Sequence, residues 1–328
     1  MKWILDNVDG ALIALTRFDD LQLVLTGDEG QIKKCLDGKE YDGSRLEIIH
    51  TTELIDCHDK PTDAIRFKKD SSMMRGIQLL CDCDDYAGMV SCGSTGALVA
   101  AATLRVGRIR GIIRPAFCPM LANMVGGTVG ICDSGANVDV TADYLAQYAY
   151  MGSLYLQKAF FIDSPRVGLL NIGAEDEKGD ALRREAFAII KELDGVNFIG
   201  NIEARDVLSG GVDLVVCDGF SGNVLIKSIE GTSLGLLKKL KKDIYSKPLY
   251  KLGGLLMKKM FSEEKKFMDY RNYGGSVLLG CRKTIVKGHG SSNDVSVAKC
   301  IEQVYNAEKG GLTKAIEASV QSASKERI

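Results

Sequence analysis

Five short apolar runs rich in β-branched residues constrain the fold of this chain more than any other feature. They cover residues 21–26, 89–91, 167–171, 197–199 and 214–217, and each ends in or leads into Gly or Asp. Continuous apolar runs of this length read as parallel strands buried on both faces. Between them, residues 11–18, 96–106, 142–160, 181–193 and 224–229 carry apolar side chains at three- and four-residue steps, the spacing of amphipathic helices. Strand alternating with helix predicts a parallel sheet sandwiched between helical layers. No tandem repeat or low-complexity tract divides the 328 residues, 209–211 is a turn, and the tail after Gly310 is a terminal helix. The expectation is one large α/β unit over residues 1–328.

The 36 glycines fall where the strands should end and the helices begin, at 92–96, 134–136, 172–173, 219–222, 273–275 and 288–292. In a parallel sheet such turns lie at the carboxyl ends of the strands, where ligands bind. Glycine lets backbone N–H groups approach an anion, and the helix that follows adds its positive end. One loop of this kind is ordinarily just a turn. Six of them, with Asp, Asn, Lys and Ser beside them, predict a polar pocket for a phosphate-sized ligand.

The loops exclude several nucleotide and hydrolase chemistries. Gly93-Ser94-Thr95-Gly96 lacks the spacing of a P-loop, and no GxGxxG opens a helix with a suitably placed acidic residue. No GxSxG elbow or nearby Ser–His–Asp set marks a covalent nucleophile. His50, His58 and His289 show no ligand spacing with cysteine, so no metal or other cofactor is expected.

A formal net charge of −1, from 42 basic and 43 acidic residues, leaves no global field for nucleic acid. The ten cysteines include no CxxC pair and read as reduced thiols in a cytoplasmic core. Residues 1–10 do not resemble a secretory signal, and no apolar stretch reaches the ~18 residues that span a bilayer. Residues 233–266 differ from the rest. Leu236, Leu237, Leu240 and Ile244 form one stripe, Leu249, Leu252, Leu256 and Met260 another, with Pro248 between them and lysines crowded around. A basic amphipathic hairpin is expected here, suited to an anionic membrane surface. The alternative is a hairpin packed at a dimer interface with its lysines in water.

Several stretches together resemble the PlsX phosphate acyltransferases of bacterial lipid synthesis. They are Arg66-Phe67-Lys68-Lys69-Asp70-Ser71-Ser72-Met73, Val90-Ser91-Cys92-Gly93-Ser94-Thr95-Gly96-Ala97-Leu98 and Asp133-Ser134-Gly135-Ala136-Asn137-Val138-Asp139. Val167-Gly168-Leu169-Leu170-Asn171-Ile172-Gly173 follows, then Lys178-Gly179, then Phe198-Ile199-Gly200-Asn201 with Glu203, Arg205 and Asp206. Cys217-Asp218-Gly219-Phe220-Ser221-Gly222-Asn223-Val224, Tyr273-Gly274-Gly275 and Lys287-Gly288-His289-Gly290-Ser291-Ser292 complete the series. The resemblance implies a Rossmann-like α/β/α sandwich related to isopropylmalate dehydrogenase and phosphotransacetylase, with a projecting basic helical hairpin. It also implies a homodimer that converts acyl-[acyl-carrier protein] and inorganic phosphate into acyl phosphate. The product would feed a membrane-bound glycerol-3-phosphate acyltransferase. A short-chain phosphotransacetylase using acyl-CoA and an inactive membrane-associated paralogue are the alternatives.

Two departures stand out. The family opens with a short strand and an acidic Gly-Gly-Asp turn, whereas residues 1–10 offer only Ile4-Leu5-Asp6 and Asp9-Gly10. A late start of this kind would leave backbone groups exposed in the sheet. Ser94 also stands where the family has Asn, a shorter donor without the paired amide protons.

The chemistry needs phosphate held near the thioester carbon, donors for the tetrahedral oxyanion, and a thiolate that can leave. The expected phosphate cradle is Ser91, Gly93, Ser94, Thr95 and Gly96, helped by Lys178 and His289. Asn137, Asn171 and Asn223 are candidate donors to the carbonyl or the pantetheine amides, while Asp133 and Asp218 orient them. Arg66, Lys68 and Lys69 are placed against the acidic carrier protein. Each has a blander reading: Lys178 follows Glu175-Asp176-Glu177 in what could be a solvated loop, His289 could make a structural hydrogen bond, and the Arg66–Lys69 cluster could be a plain hydrated face.

Overall fold

A computed structural model describes residues 2–56, 58–267 and 273–326. The chain opens with α1 (Lys2–Arg17), β1 (Leu23–Gly27), α2 (Glu29–Leu36), β2 (Leu46–His50), α3 (Pro61–Phe67), α4 (Ser72–Asp82), β3 (Gly88–Ser91) and α5 (Thr95–Ala101). The middle is β4 (Ala116–Ala122), β5 (Thr128–Cys132), α6 (Ala142–Phe160), β6 (Arg166–Asn171), α7 (Ala181–Lys191), β7 (Asn197–Glu203) and β8 (Leu214–Val216). Then come α8 (Gly219–Ile244), α9 (Pro248–Leu256), α10 (Lys258–Phe267), β9 (Ser276–Leu279), β10 (Thr284–Lys287), α11 (Asp294–Lys309) and α12 (Leu312–Glu326). Local chemistry sets many of the starts. Asp28, Ser71, Asp180, Asp218 and Asn293 each accept from the backbone N–H three residues on, capping α2, α4, α7, α8 and α11. Each such cap is worth about 1 kcal/mol.

The α/β architecture matches expectation, but the sheet is mixed rather than parallel, and it is split. β1 and β2 form a parallel pair of their own, while eight strands follow the order β3-β10-β9-β4-β5-β8-β6-β7. β9 is antiparallel to both its neighbours, and β4 is antiparallel to β5. Strands β3, β10 and β4 therefore run one way, and β5, β8, β6 and β7 the other. Sequence periodicity missed β2, β4, β5, β9 and β10. β4 contains Pro119, which normally argues against an interior strand, and here Pro119 pairs with Ser276 in an antiparallel register.

Three helices also differ from their expected spans. α1 begins well before residue 11, because Val8, Ala11, Ala14 and Leu15 make one buried face despite Asp6 and Asp9. Gly10 is what lets α1 cross α11, since a Cβ there would lie 2.6 Å from Asp294 O. α5 gives way to a π turn over Ala102–Val106. The expected 224–229 helix is one part of the 26-residue α8. The largest core cluster surrounds α6, whose Leu145, Tyr148, Met151, Tyr155 and Leu156 are wholly buried.

The basic segment is three helices rather than two. The end of α8 supplies the first, α9 starts at Pro248, and α9 breaks at Met257 before α10. The second expected stripe therefore crosses a helix boundary. α9 sits close on α8, where a Cβ on Gly254 would strike the Ile244 side chain. Leu249, Leu252, Leu255 and Leu256 are all more than half exposed. Among the described residues no helix is long and apolar enough to cross a membrane.

One surface tie pins β6 to the turn before β8. Asp213 accepts from the Arg166 backbone N–H at 2.8 Å and from its guanidinium at 2.9 Å. Burial pushes the Asp213 carboxyl up, but the Arg166 hydrogen bonds outweigh it and hold the carboxyl below its usual range. A depressed carboxylate stabilises the fold above its unfolded pKa of about 3.9, and that contribution is lost as pH falls through the folded value. Asp213→Asn is thus expected to cost about 1–2 kcal/mol near neutral pH, since Arg166 is partly solvated. Urea titrations should show the gap to the parent protein closing below about pH 4.

Candidate active site

The change of strand direction decides which loops gather. Ser91 is level with Lys287 in the register, and the Gly288 N–H donates to Ser91 O at 3.0 Å. The loops at 92–96 and 288–292 therefore leave one end of the sheet together, joined by 273–275 ahead of β9. The loops after β5 and β8, which hold Asp133 and Asp218, and the last residue of β6, Asn171, lie at the opposite end. The single row of carboxyl-end loops expected from an all-parallel sheet is not formed. Between the two sets, Ala136 of the second packs against the buried cluster that contains Ala97, Leu98 and Phe117.

The second set is the more tightly built. Asp133 is fully buried and accepts from the backbone N–H groups of Phe117, Gly135, Ala136 and Asn137, and from the Asn137 side chain. Burial pushes its carboxyl up, against the pull of the Ala136, Asn137 and Phe117 donors. Asn137 spends its amide on Pro115 O at 2.7 Å and on Asp133. Its carbonyl accepts from the Gly219 N–H at 2.7 Å, which docks the start of α8 onto this loop. The approach is close: a Cβ on Gly219 would lie 2.6 Å from Asn137 O, and one on Gly222 would strike Asp133 O. Asn223 donates to Ser134 O at 3.3 Å and is otherwise exposed.

Asp218 caps α8 through the Ser221 N–H and also accepts from the Ser221 hydroxyl, both at 2.8 Å. It is paired as well with Arg183, whose other nitrogen holds Asp180 at 2.8 Å. Sequence reasoning missed Arg183. Its link to the Asp180 cap is local, but Asp218 lies 35 residues away and only the fold brings them together. Asn171 donates to Lys178 O and to Asn201 Oδ1, both at 3.0 Å, and Asn201 donates to Glu175 O at 2.7 Å. These amides hold the 172–179 loop in shape. Lys178 is exposed at its end, and its ammonium makes no hydrogen bond or ion pair among the described residues.

Exposed apolar residues flank this network in sequence. Val138, Ile172, Phe220 and Val224 are exposed by 60%, 82%, 62% and 50%, and each is a chain neighbour of a residue in the network. An exposed cation and amide in segments that also expose apolar side chains suit a ligand with an anionic head and an apolar tail.

The first set is looser. The Gly93 N–H donates to Ser91 Oγ at 3.3 Å, and Ser94 precedes α5 without a side-chain cap. His289 Nδ1 accepts from the Ser291 N–H at 3.1 Å. Arg66 lies over the Phe67 ring at 5.1 Å, Lys68 donates to Leu54 O at 2.9 Å and pairs with Asp59 at 2.5 Å, and Lys69 is exposed. A Cβ on Gly96 would meet Pro61 Cγ at 2.8 Å, so this glycine serves helix packing between α5 and α3. Gly96→Ala is expected to destabilise by about 1–3 kcal/mol through overpacking. A lowered urea midpoint at an unchanged m-value would register it.

Known proteins resemble this chain along most of its length. The family model described as "Fatty acid synthesis protein" matches residues 4–314. A phosphate acyltransferase of Clostridium botulinum is 43% identical over 296 residues, covering 90% of this chain and 88% of that protein. One from Bacillus cereus is 44% identical over 294 residues, covering 90% and 87%. One from Clostridioides difficile is 39% identical over 320 residues, covering 98% and 93%. Among solved structures, a Streptococcus pyogenes phosphotransacetylase superposes with a TM-score of 0.60 at 19% identity, covering 92% of this chain and 91% of that one. The Staphylococcus aureus EutD phosphotransacetylase gives 0.59 at 16%, covering 93% and 92%. The structural likeness establishes the fold, and the extended identity to the curated enzymes establishes that this chain belongs to the PlsX family of phosphate acyltransferases.

Proposed function

We propose that this chain transfers a long-chain acyl group from acyl-[acyl-carrier protein] to inorganic phosphate, and that the product is consumed by a membrane-bound glycerol-3-phosphate acyltransferase. The observation that carries the reading is the exposure of Val138, Ile172, Phe220 and Val224, each next in sequence to a residue of the network, together with that of Lys178 and Asn223. A long acyl chain finds surface there that an acetyl group would not use.

In the proposed reaction a phosphate oxygen attacks the thioester carbon. The tetrahedral oxyanion then collapses, the C–S bond breaks, and the pantetheine thiolate leaves as acyl phosphate forms. Ser91, Gly93, Ser94, Thr95 and Gly96 are assigned to phosphate, with His289 beside them. Lys178 offsets the negative charge of the transition state, and Asn223 donates to the carbonyl oxygen, since it has an amide proton beyond its bond to Ser134 O. Asp133 and Asp218 have their oxygens committed to the loop and to α8, so they position rather than abstract protons. Asn137 and Asn171 likewise shape the site through their amides. Arg66, Lys68 and Lys69 are offered to the acidic carrier protein, the active unit is a homodimer, and residues 233–266 hold it peripherally on the membrane.

Turnover decides the matter. Long-chain acyl-[acyl-carrier protein] should be consumed only when phosphate is present, and faster than acetyl-CoA. Preference for acetyl-CoA would make the chain a short-chain phosphotransacetylase, and lipid binding without turnover an inactive paralogue.

A further inference from the structure

Residues 86–132 contain no acidic residue and no lysine, yet they carry four arginines within ten positions, Arg105, Arg108, Arg110 and Arg114. The segment leaves the π turn at Ala102–Val106 and enters β4. Ile109 and Ile112 are buried in the largest core cluster, while all four arginines are exposed. The backbone between them is tied down. The Ile109 N–H donates to Gly280 O at 2.9 Å, and the Arg282 N–H donates to Gly107 O at 3.0 Å. Gln147 of α6 accepts from the Ile113 N–H at 2.8 Å and donates to Gly111 O at 2.9 Å. The arginines are thus displayed on a fixed backbone. Arginine ion pairs among the described residues involve Arg17, Arg75, Arg166, Arg183 and Arg205, and none involves these four. Like charges held this close repel one another, a cost that an acidic surface from outside the chain would relieve.

The strip ends at the candidate active site. Arg114 precedes Pro115, whose carbonyl accepts from the Asn137 amide at 2.7 Å, and the Phe117 N–H donates to Asp133 at 2.9 Å. Burial and then the Asp133 charge push the Tyr148 phenol up while Arg114 pulls it down, so Tyr148 has both charges nearby. The exposed leucines of α9 are remote from this end. Helices rise about 1.5 Å per residue, which puts Ile244, where α9 packs, roughly 38 Å along α8 from Gly219. The side chains narrow the occupant further. A guanidinium is a planar fork of donors that matches a carboxylate, and arginine is enriched where proteins meet. Four forks spread over ten residues exceed what one phosphate can engage, whereas a row of carboxylates on a protein can meet them all.

We propose that Arg105, Arg108, Arg110 and Arg114 are the docking surface for the acidic protein that delivers the acyl thioester to the Asp133–Asn137 end of the site. This rests on the acyl-[acyl-carrier protein] reading above, and it moves the main contact of the carrier away from Arg66, Lys68 and Lys69. Lys68 is already committed to Asp59 and Leu54 O, whereas the strip is without a counter-charge among the described residues. The strip acts on encounter and affinity rather than on bond making, so salt should weaken it.

The test uses the whole chain with labelled holo-carrier protein, followed by fluorescence anisotropy, and two acyl donors, acyl-[acyl-carrier protein] and acyl-pantetheine. Arg105→Glu combined with Arg110→Glu should weaken carrier binding and raise KM for acyl-[acyl-carrier protein] by about tenfold or more. It should also flatten their salt dependence and leave turnover of acyl-pantetheine and the urea midpoint unchanged. Arg105→Gln with Arg110→Gln should lose less in the same direction, and it carries the test where the reversed pair does not fold. Unchanged carrier binding, an equal loss with acyl-pantetheine, or a larger effect from Arg66→Glu with Lys69→Glu would overturn the proposal. Loss of retention on anionic vesicles in place of carrier binding would make the strip a membrane contact and overturn it too. If acyl-[acyl-carrier protein] is consumed but the strip variants behave as the parent, the docking surface falls and the reaction stands. If the carrier binds through the strip while acetyl-CoA is the preferred donor, the reaction falls and the docking surface stands.

Discussion

Replacing Lys178 with Ala should lower kcat/KM for acyl phosphate formation by at least ~10²-fold, a loss of ~2.7 kcal/mol of transition-state stabilisation. The size follows from the site. Lys178 stands exposed at the end of a loop that Asn171 and Asn201 hold from beneath, so its charge is presented on a fixed backbone. Among the described residues the ammonium makes no hydrogen bond or ion pair, and the variant should unfold at the same urea concentration as the parent. Loss of activity at unchanged stability is therefore the expected pair of results. Near-normal kinetics would return Lys178 to a hydrated loop beside Glu175, Asp176 and Glu177. If it acts on developing charge, the loss falls in kcat; if it only holds ground-state phosphate, KM for phosphate rises alone.

A double change of Leu252 and Leu256 to Glu should abolish retention of the protein on vesicles containing anionic lipid. Both leucines are exposed on α9, by 58% and 81%, and burying each in a lipid interface is worth roughly 1.5–3 kcal/mol. Ten lysines against three carboxylates in residues 233–266 add a second, separable attraction. Salt screens charge over a Debye length of ~8 Å at physiological strength and leaves apolar burial largely alone. The parent protein should consequently bind at low salt, be partly released at high salt, and bind neutral vesicles weakly. Because α9 packs on α8 rather than near Asp133 or Lys178, acyl transfer in solution should survive the double change. If the variant instead becomes monomeric or unfolds, the stripe is a subunit interface and membrane attachment falls.

Local signals in the sequence carried a good deal of this. The apolar period of residues 142–160 matches α6 from end to end, and the Asp and Ser caps mark helix starts by chemistry that acts over three residues. The motifs around Asp133, Asn171, Lys178, Asp218 and Asn223 were legible too, because the loops that hold them depend on nearby glycines and on self-contained hydrogen bonds. The tertiary structure alone decided what lies beside what. Strand direction is not written in an apolar run, so the reversal between β4 and β5, which sends two sets of loops to opposite ends, was invisible. The Arg183–Asp218 pair and the docking of Gly219 on Asn137 join segments far apart in the chain. A residue's neighbours along the chain set its conformation, whereas its burial and its partners depend on contacts that form only when the layers close.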